Sequence, residues 1–162
     1  MNCSAWFIPI TLVLLTATGC DTPVTAPAAS QPMVALFPNP KAQVWNALAA
    51  TVGMEFPIQV LERESGLLVT RPSSMALPTS RWALGCENPS DFANAWNQLS
   101  LELRVLVEER EPGSTQVTLN CLYEADKQST SPRAWTRVGS NGTLERLLIE
   151  NVQGRLKVSG AK

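Results

Sequence analysis

Residues 101–124 read LELRVLVEEREPGSTQVTLNCLYE. Leu101, Leu103, Val105 and Val107 alternate with Glu102, Arg104, Leu106 and Glu108. Val117, Leu119, Cys121 and Tyr123 alternate in the same way with Thr118, Asn120, Leu122 and Glu124. Successive side chains of a strand point to opposite faces, so each run carries one apolar face. Between the runs, Glu111-Pro112-Gly113-Ser114 places Pro and Gly at the two central positions of a type II turn. The stretch predicts a long antiparallel hairpin whose apolar face needs a cover.

Candidate covers lie on both sides of it. Asn39-Pro40 opens a helix, with Asn39 as N-cap and Pro40 at the first helical position. Val44, Trp45, Leu48 and Val52 then share one face, and Gly53 supplies a left-handed stop. Near the C-terminus, Leu144, Leu147, Leu148, Val152 and Leu156 make a second apolar stripe, with Glu145 in the first turn and Arg155 in the last. Residues 57–63 (PIQVLER) and 67–72 (LLVTRP) flank Glu64-Ser65-Gly66 and read as another hairpin. Residues 75–98 are less regular: Trp82, Leu84 and Cys86 alternate as in a strand, and Pro89 to Trp96 suits a short helix. The economical assembly is an α+β domain in two layers. A curved antiparallel sheet of four or five strands carries the N-terminal and C-terminal helices on one face.

The chain has 162 residues, 44% of them hydrophobic and 17% charged, with a formal net charge of −1. That fits one domain with a tail, and it excludes both a wholly disordered polymer and a strongly basic nucleic-acid binder. There is no histidine. Ser/His/Asp and Cys/His triads, zinc sites with His ligands and a histidine general base are therefore excluded.

Residues 1–20 carry no charged side chain, and Ala5 to Leu15 reads AWFIPITLVLL. A membrane span needs about 20 apolar residues. This shorter run, interrupted by Pro9, has instead the length of a signal-peptide core, and small residues follow at Ala17, Thr18 and Gly19. The usual basic n-region is missing. Thr18-Gly19-Cys20 resembles the end of the bacterial lipoprotein signal, with Ala17 where Leu is usual. The resemblance implies cleavage before Cys20 and diacylation of its sulfur, anchoring the chain to a membrane. An ordinary secretory leader and an uncleaved anchor are the competing readings. Asp21 to Pro32 reads DTPVTAPAASQP, without an aromatic residue, and suits an extended tether. Its twelve residues reach roughly 37 Å in the polyproline II limit. The expected organisation is a leader over 1–19, lipidated Cys20 and a tether over 20–36, and one domain over 37–160. Asp21 beside the lipidated cysteine resembles the inner-membrane retention signal of enteric-type bacteria, which favours the periplasmic face of the inner membrane and works against a role at the outer membrane, the alternative location.

Two further segments carry a resemblance. VWNALAATVGMEFPIQVLERESGLLVTRP and GSNGTLERLLIENV are similar to the helix–strand–GLL–strand opening and the turn and closing helix of small envelope lipoproteins with a helix-grip domain. The best-known relatives in fold are the BamC-like domains of the β-barrel assembly machine. BamC carries a long N-terminal docking region and two helix-grip domains, whereas this chain has a short tether and room for one. The resemblance implies a helix-grip fold, an envelope protein partner and a role in assembly.

Cys86 and Cys121 remain once Cys20 is lipidated, and an oxidising envelope favours pairing them. A bond closing about 36 residues would stabilise the fold by roughly 4 kcal/mol in the chain-entropy picture. The alternative is that both are small buried core residues. Their spacing is not C-x-x-C, so a redox-active pair is not expected. Glu62 and Glu64, and Glu108, Glu109 and Glu111, cluster at hairpin ends with Arg neighbours, where solvated charge is the ordinary outcome. No phosphate-binding glycine motif, nucleophile elbow or calcium loop is present. No catalytic residue, cofactor site or metal site is assigned, and the chain is read as non-enzymatic. Trp82 and Trp135 lie in or beside loops, where core packing competes with a role as partner contacts. The expected function is a structural, assembly or partner-binding module. The alternative is a carrier holding an apolar ligand between sheet and helix.

Overall fold

The computed structural model describes residues 31–76, 85–86, 96–127 and 135–160. The central hairpin is longer than its alternation suggested: β5 spans Trp96–Glu111 and β6 spans Ser114–Lys127. Leu101 faces Tyr123, Leu103 faces Cys121, Val105 faces Leu119 and Val107 faces Val117 across the pair. All eight are at 0–1% exposure, so the predicted apolar face is the core face. Pro112 and Gly113 form the loop between Glu111 and its partner Ser114, and Gly113 has φ +81°, the value a type II turn requires at its second central position.

Around this pair the chain adds β1 (Met33–Phe37), α1 (Lys41–Gly53), β2 (Ile58–Glu62), β3 (Leu67–Thr70), β4 (Ser73–Ala76), β7 (Trp135–Val138) and α2 (Thr143–Gly160). The seven strands form one antiparallel sheet in the order β1-β6-β5-β3-β2, with β4 also on β5 and β7 also on β6. Among the described residues the expected four or five strands become seven, because the two central strands are long enough to hold two short partners each. On β5, β3 pairs with residues 104–106 and β4 with residues 98–101. In the gap between these ladders the Leu103 N–H donates to Thr70 Oγ1 at 2.9 Å, so a buried donor keeps a partner.

The helices pack on one another and reach the sheet, α1 at β5 and β6 and α2 at β1 and β6. Val44, Trp45, Leu48 and Val52 are buried as the spacing predicted. On α2 the stripe is shifted: Leu147 is 38% exposed, and Ile149 takes its place in the core beside Leu144, Leu148, Val152 and Leu156.

Three boundaries differ from the sequence reading. The sheet reaches back to Met33, four residues into the stretch assigned to the tether, because Met33, Ala35 and Phe37 pair opposite core-face residues of β6. Pro40, with φ −59° and ψ 146°, is the N-cap of α1, and Asn39 makes no side-chain cap bond. Pro40 instead contributes its carbonyl to the Gln43 and Val44 N–H groups, at 2.9 and 3.2 Å. Gly53 stays inside the helix and Met54 ends it in a right-handed conformation. The Glu55 and Phe56 N–H groups fold back on the Val52 carbonyl, and Pro57 then prevents continuation.

Candidate functional site

Two buried cysteines and a buried carboxylate come together where α2 begins. Cys121 is on the core face of β6, and Cys86 is held beside β7 by an isolated bridge to Ser140. Both cysteines are fully buried and are free thiols in the structure. Glu145, in the first turn of α2, is only 2% exposed. Ser140 Oγ lies 2.9 Å from Glu145 Oε2, and the Cys121 thiol also donates to this carboxylate. A carboxylate in the first turn complements the unpaired N–H groups and the positive end of the helix.

The loop before α2 ties the same place together. Asn141 Oδ1 accepts the Thr143 N–H at 2.9 Å, and Ser140 Oγ accepts the Gly142 N–H at 3.2 Å. Asn141 also donates through its backbone to the Gly85 carbonyl at 2.8 Å and through Nδ2 to the Cys86 carbonyl at 2.9 Å. Gly85 must be small here: a Cβ would run into Tyr123 Oη and would lie 3.1 Å from Leu144 Cβ.

The cluster suppresses thiol reactivity. Burial, and then the negative charge of Glu145, pushes the Cys86 thiol up to about 12. Cys121 is pushed further the same way by burial, by Glu145 as charge and hydrogen-bond acceptor, and by Cys86. The Tyr123 phenol is raised by burial first and then by Cys121, Cys86 and Glu145. The thiolate is the nucleophile and the metal ligand, so these sulfurs are poor at both near neutral pH. Oxidation of Cys121 to a disulfide would also remove a donor from a carboxylate with little access to water. The arrangement pins residues 85–86 to the sheet and to α2. Sequence reasoning found the two cysteines and read Glu145 only as a dipole partner. Its burial follows from its place on the core side of α2 beside Leu144 and Leu148, which periodicity alone could have indicated.

The other expected positions are dispersed. Cys20 and Trp82 lie outside the described residues, as do the expected short helix over 89–96, apart from Trp96 itself, and most of the expected strand around Trp82. Trp135 starts β7 opposite Asp126 and is 40% exposed. Glu62, Glu64, Glu109 and Glu111 are exposed at hairpin ends, and Glu108 pairs with Arg110 at 3.4 Å. Among the described residues no three His, Cys, Asp or Glu side chains group as a metal site, and no helix is long and apolar enough to cross a membrane.

The clefts lie outside the core. One of about 560 Å³ opens between the end of α1 and the C-terminal half of α2 and is lined by residues including Met54, Gly154 and Val158. A small one of about 80 Å³ on the outward face of the sheet is lined by Glu102, Arg104, Glu124 and Arg137, among others. In a comparison with known proteins, neither a family model nor a curated protein matches this chain.

Proposed function

We propose that this chain is a lipid-anchored lipoprotein of the bacterial envelope, facing the periplasm, whose BamC-like helix-grip domain binds a protein partner as a structural or assembly module. The observation that carries the reading is the order of segments along the chain. An uncharged apolar run ends at Thr18-Gly19-Cys20, a Pro/Ala/Thr-rich stretch follows, and a folded domain begins at Met33. The strand order and the two packed helices support a two-layer arrangement with both helices on the core face, as a helix grip requires. The module reading is favoured over a carrier because the core-face side chains of β5 and β6 from Leu101 to Val107 and from Val117 to Tyr123 are at 0–1% exposure and fill the space a ligand would need. The suppressed thiols and the scattered surface carboxylates fit a non-enzymatic role without a cofactor.

Lipidation at Cys20 has a direct test. One acyl chain holds a protein to a membrane only marginally, and stable anchoring needs a second signal. Metabolic labelling with a fatty acid should therefore mark the full chain and leave Cys20→Ala unlabelled, with the variant released into the soluble fraction. Equal labelling of both would sink the reading.

Sorting is a separate expectation. Asp21 directly follows the acylated cysteine and favours retention in the inner membrane. Fractionation should place the native chain with the inner membrane and move Asp21→Ser outward. Outer-membrane sedimentation of both would reject the sorting rule for this chain and leave the anchor in place.

A further inference from the structure

Asn141-Gly142 is a sequence in which the backbone can attack a side chain, because glycine puts no Cβ beside its own nitrogen. In that reaction the Gly142 nitrogen bonds to Asn141 Cγ and closes a succinimide ring. The Cγ–Nδ2 bond breaks, and Nδ2 departs as ammonia with the proton that the Gly142 nitrogen gives up. Water then opens the ring to leave Asp or an isoaspartyl link. The step needs a base for the Gly142 N–H, a donor for the charge that forms on Oδ1, and access to water.

All three are in place before α2. The Gly142 N–H donates to Ser140 Oγ at 3.2 Å. Ser140 has one hydroxyl proton and two acceptors for it, Glu145 Oε2 at 2.9 Å and the Gly85 carbonyl at 3.3 Å. The shorter, charged acceptor holds it better. The nitrogen that must lose a proton is therefore joined through one hydroxyl to a buried carboxylate, within the reach of a general base. On the other side, Asn141 Oδ1 accepts the Thr143 N–H at 2.9 Å. That N–H belongs to the first residue of α2, at the positive end of the helix, where it favours an oxyanion. Asn141 itself is exposed, so water can enter and ammonia can leave.

We infer that Asn141 is a self-modification site: Ser140 takes the proton of the Gly142 nitrogen with Glu145 behind it, the Thr143 N–H holds Oδ1, and the folded chain deamidates its own asparagine. Ser140 touches the reacting nitrogen, whereas Glu145 acts through Ser140.

The product undoes the local structure. Asn141 holds residues 85–86 through its backbone N–H on the Gly85 carbonyl and through Nδ2 on the Cys86 carbonyl, at 2.8 and 2.9 Å. A carboxylate in place of the amide has no proton to donate and sets an oxygen against the Cys86 carbonyl. An isoaspartyl link also lengthens the backbone between the bridge at Ser140 and the start of α2. Deamidation therefore releases Cys86 from the core, as a slow and one-way change.

The test ages the freshly prepared, reduced full chain beside a synthetic peptide spanning Val138 to Leu147, and follows Asn141 by peptide mapping and mass spectrometry. The folded chain should deamidate there about tenfold or more faster than the peptide. Ser140→Ala and Glu145→Gln should each bring the rate close to that of the peptide. The pH profile separates a relay from a merely structural role. In the peptide the base is hydroxide, so the rate climbs with pH through the neutral range. In the folded chain it should stay nearly level there, and Glu145→Gln should restore the climb. Cys86, Cys121 and Tyr123 face Glu145 and keep their protons in that range, held first by burial, so the profile reports on the carboxylate. Aged native chain, and Asn141→Asp from the start, should expose Cys86 to a thiol reagent that fresh native chain excludes. A folded chain that deamidates no faster than the peptide overturns the assignment, whatever the variants do. So does a rate indifferent to Ser140→Ala and Glu145→Gln, or a native profile that climbs as the peptide's does. Deamidated chain with Cys86 still shielded overturns the release.

Discussion

Gly66→Ala should lower the free energy of unfolding by about 3 kcal/mol or more, while Gly113→Ala should cost about 1 kcal/mol. The two glycines have nearly the same backbone conformation, φ +75° and +81°. An L side chain in that left-handed region costs roughly 1–2 kcal/mol wherever it occurs. Their surroundings differ. A Cβ on Gly113 would meet nothing within 4 Å, because the β5–β6 turn projects into water. A Cβ on Gly66 would overlap the Val107 carbonyl oxygen and lie 3.0 Å from its carbon. Gly66 also accepts the Val107 N–H at 2.8 Å, so relief of the clash would break the bond that starts the β3–β5 ladder. An opened ladder beside a core residue at 0% exposure adds about 1–3 kcal/mol of unmet hydrogen bonding. Urea unfolding of the two variants measures the difference directly. Equal losses would mean that the close approach of β3 to β5 contributes nothing and that only the dihedral matters.

How much of this was legible beforehand follows from where the signal was periodic. The core-face residues of β5 and β6, the face of α1 and the hairpin around Gly66 could all be read, because period 2 and period 3.6 leave a mark on each residue. β1 escaped because MVALF is only five residues long, lacks a polar/apolar alternation and directly adjoins the Pro/Ala-rich stretch. β4 escaped because Ser73-Ser74-Met75-Ala76 has no strand propensity of its own and is held by pairing with β5. The polar cluster was legible only as separate residues. Cys86, Cys121 and Glu145 are far apart in sequence, and only the Cys86–Ser140 bridge and the start of α2 bring them together.

Above pH 9 the reduced protein should lose stability steeply, and the two buried thiols should account for most of the loss. An unfolded thiol ionises near 9.0, whereas Cys86 in the folded chain holds its proton to about 12 and Cys121 is raised in the same direction. Below pH 9.0 both states carry the proton and the contribution of each thiol is fully present. As pH rises further, the unfolded chain gives up protons that the folded chain keeps. Stability then falls by up to about 1.4 kcal/mol per pH unit for each thiol. Tyr123, whose ordinary value is 10.0 and which is also raised, adds the same sign at the upper end. Between pH 9 and 11 the two thiols together remove roughly 3–5 kcal/mol, a large share of what a domain of this size holds. Urea unfolding at pH 7.5, 9, 10 and 11 in the presence of a reductant should show this fall in the native chain. In Cys86→Ala with Cys121→Ala the fall should be much shallower, whatever the variant loses at pH 7.5. Thiol counting accompanies it: a chromogenic disulfide reagent at pH 8 should find neither Cys86 nor Cys121 in the folded chain and both after denaturation. A native chain whose stability is level from pH 9 to 11 would refute the protonated cluster, and denatured, unreduced protein with no titratable thiol at either position would mean that Cys86 and Cys121 are joined in a disulfide.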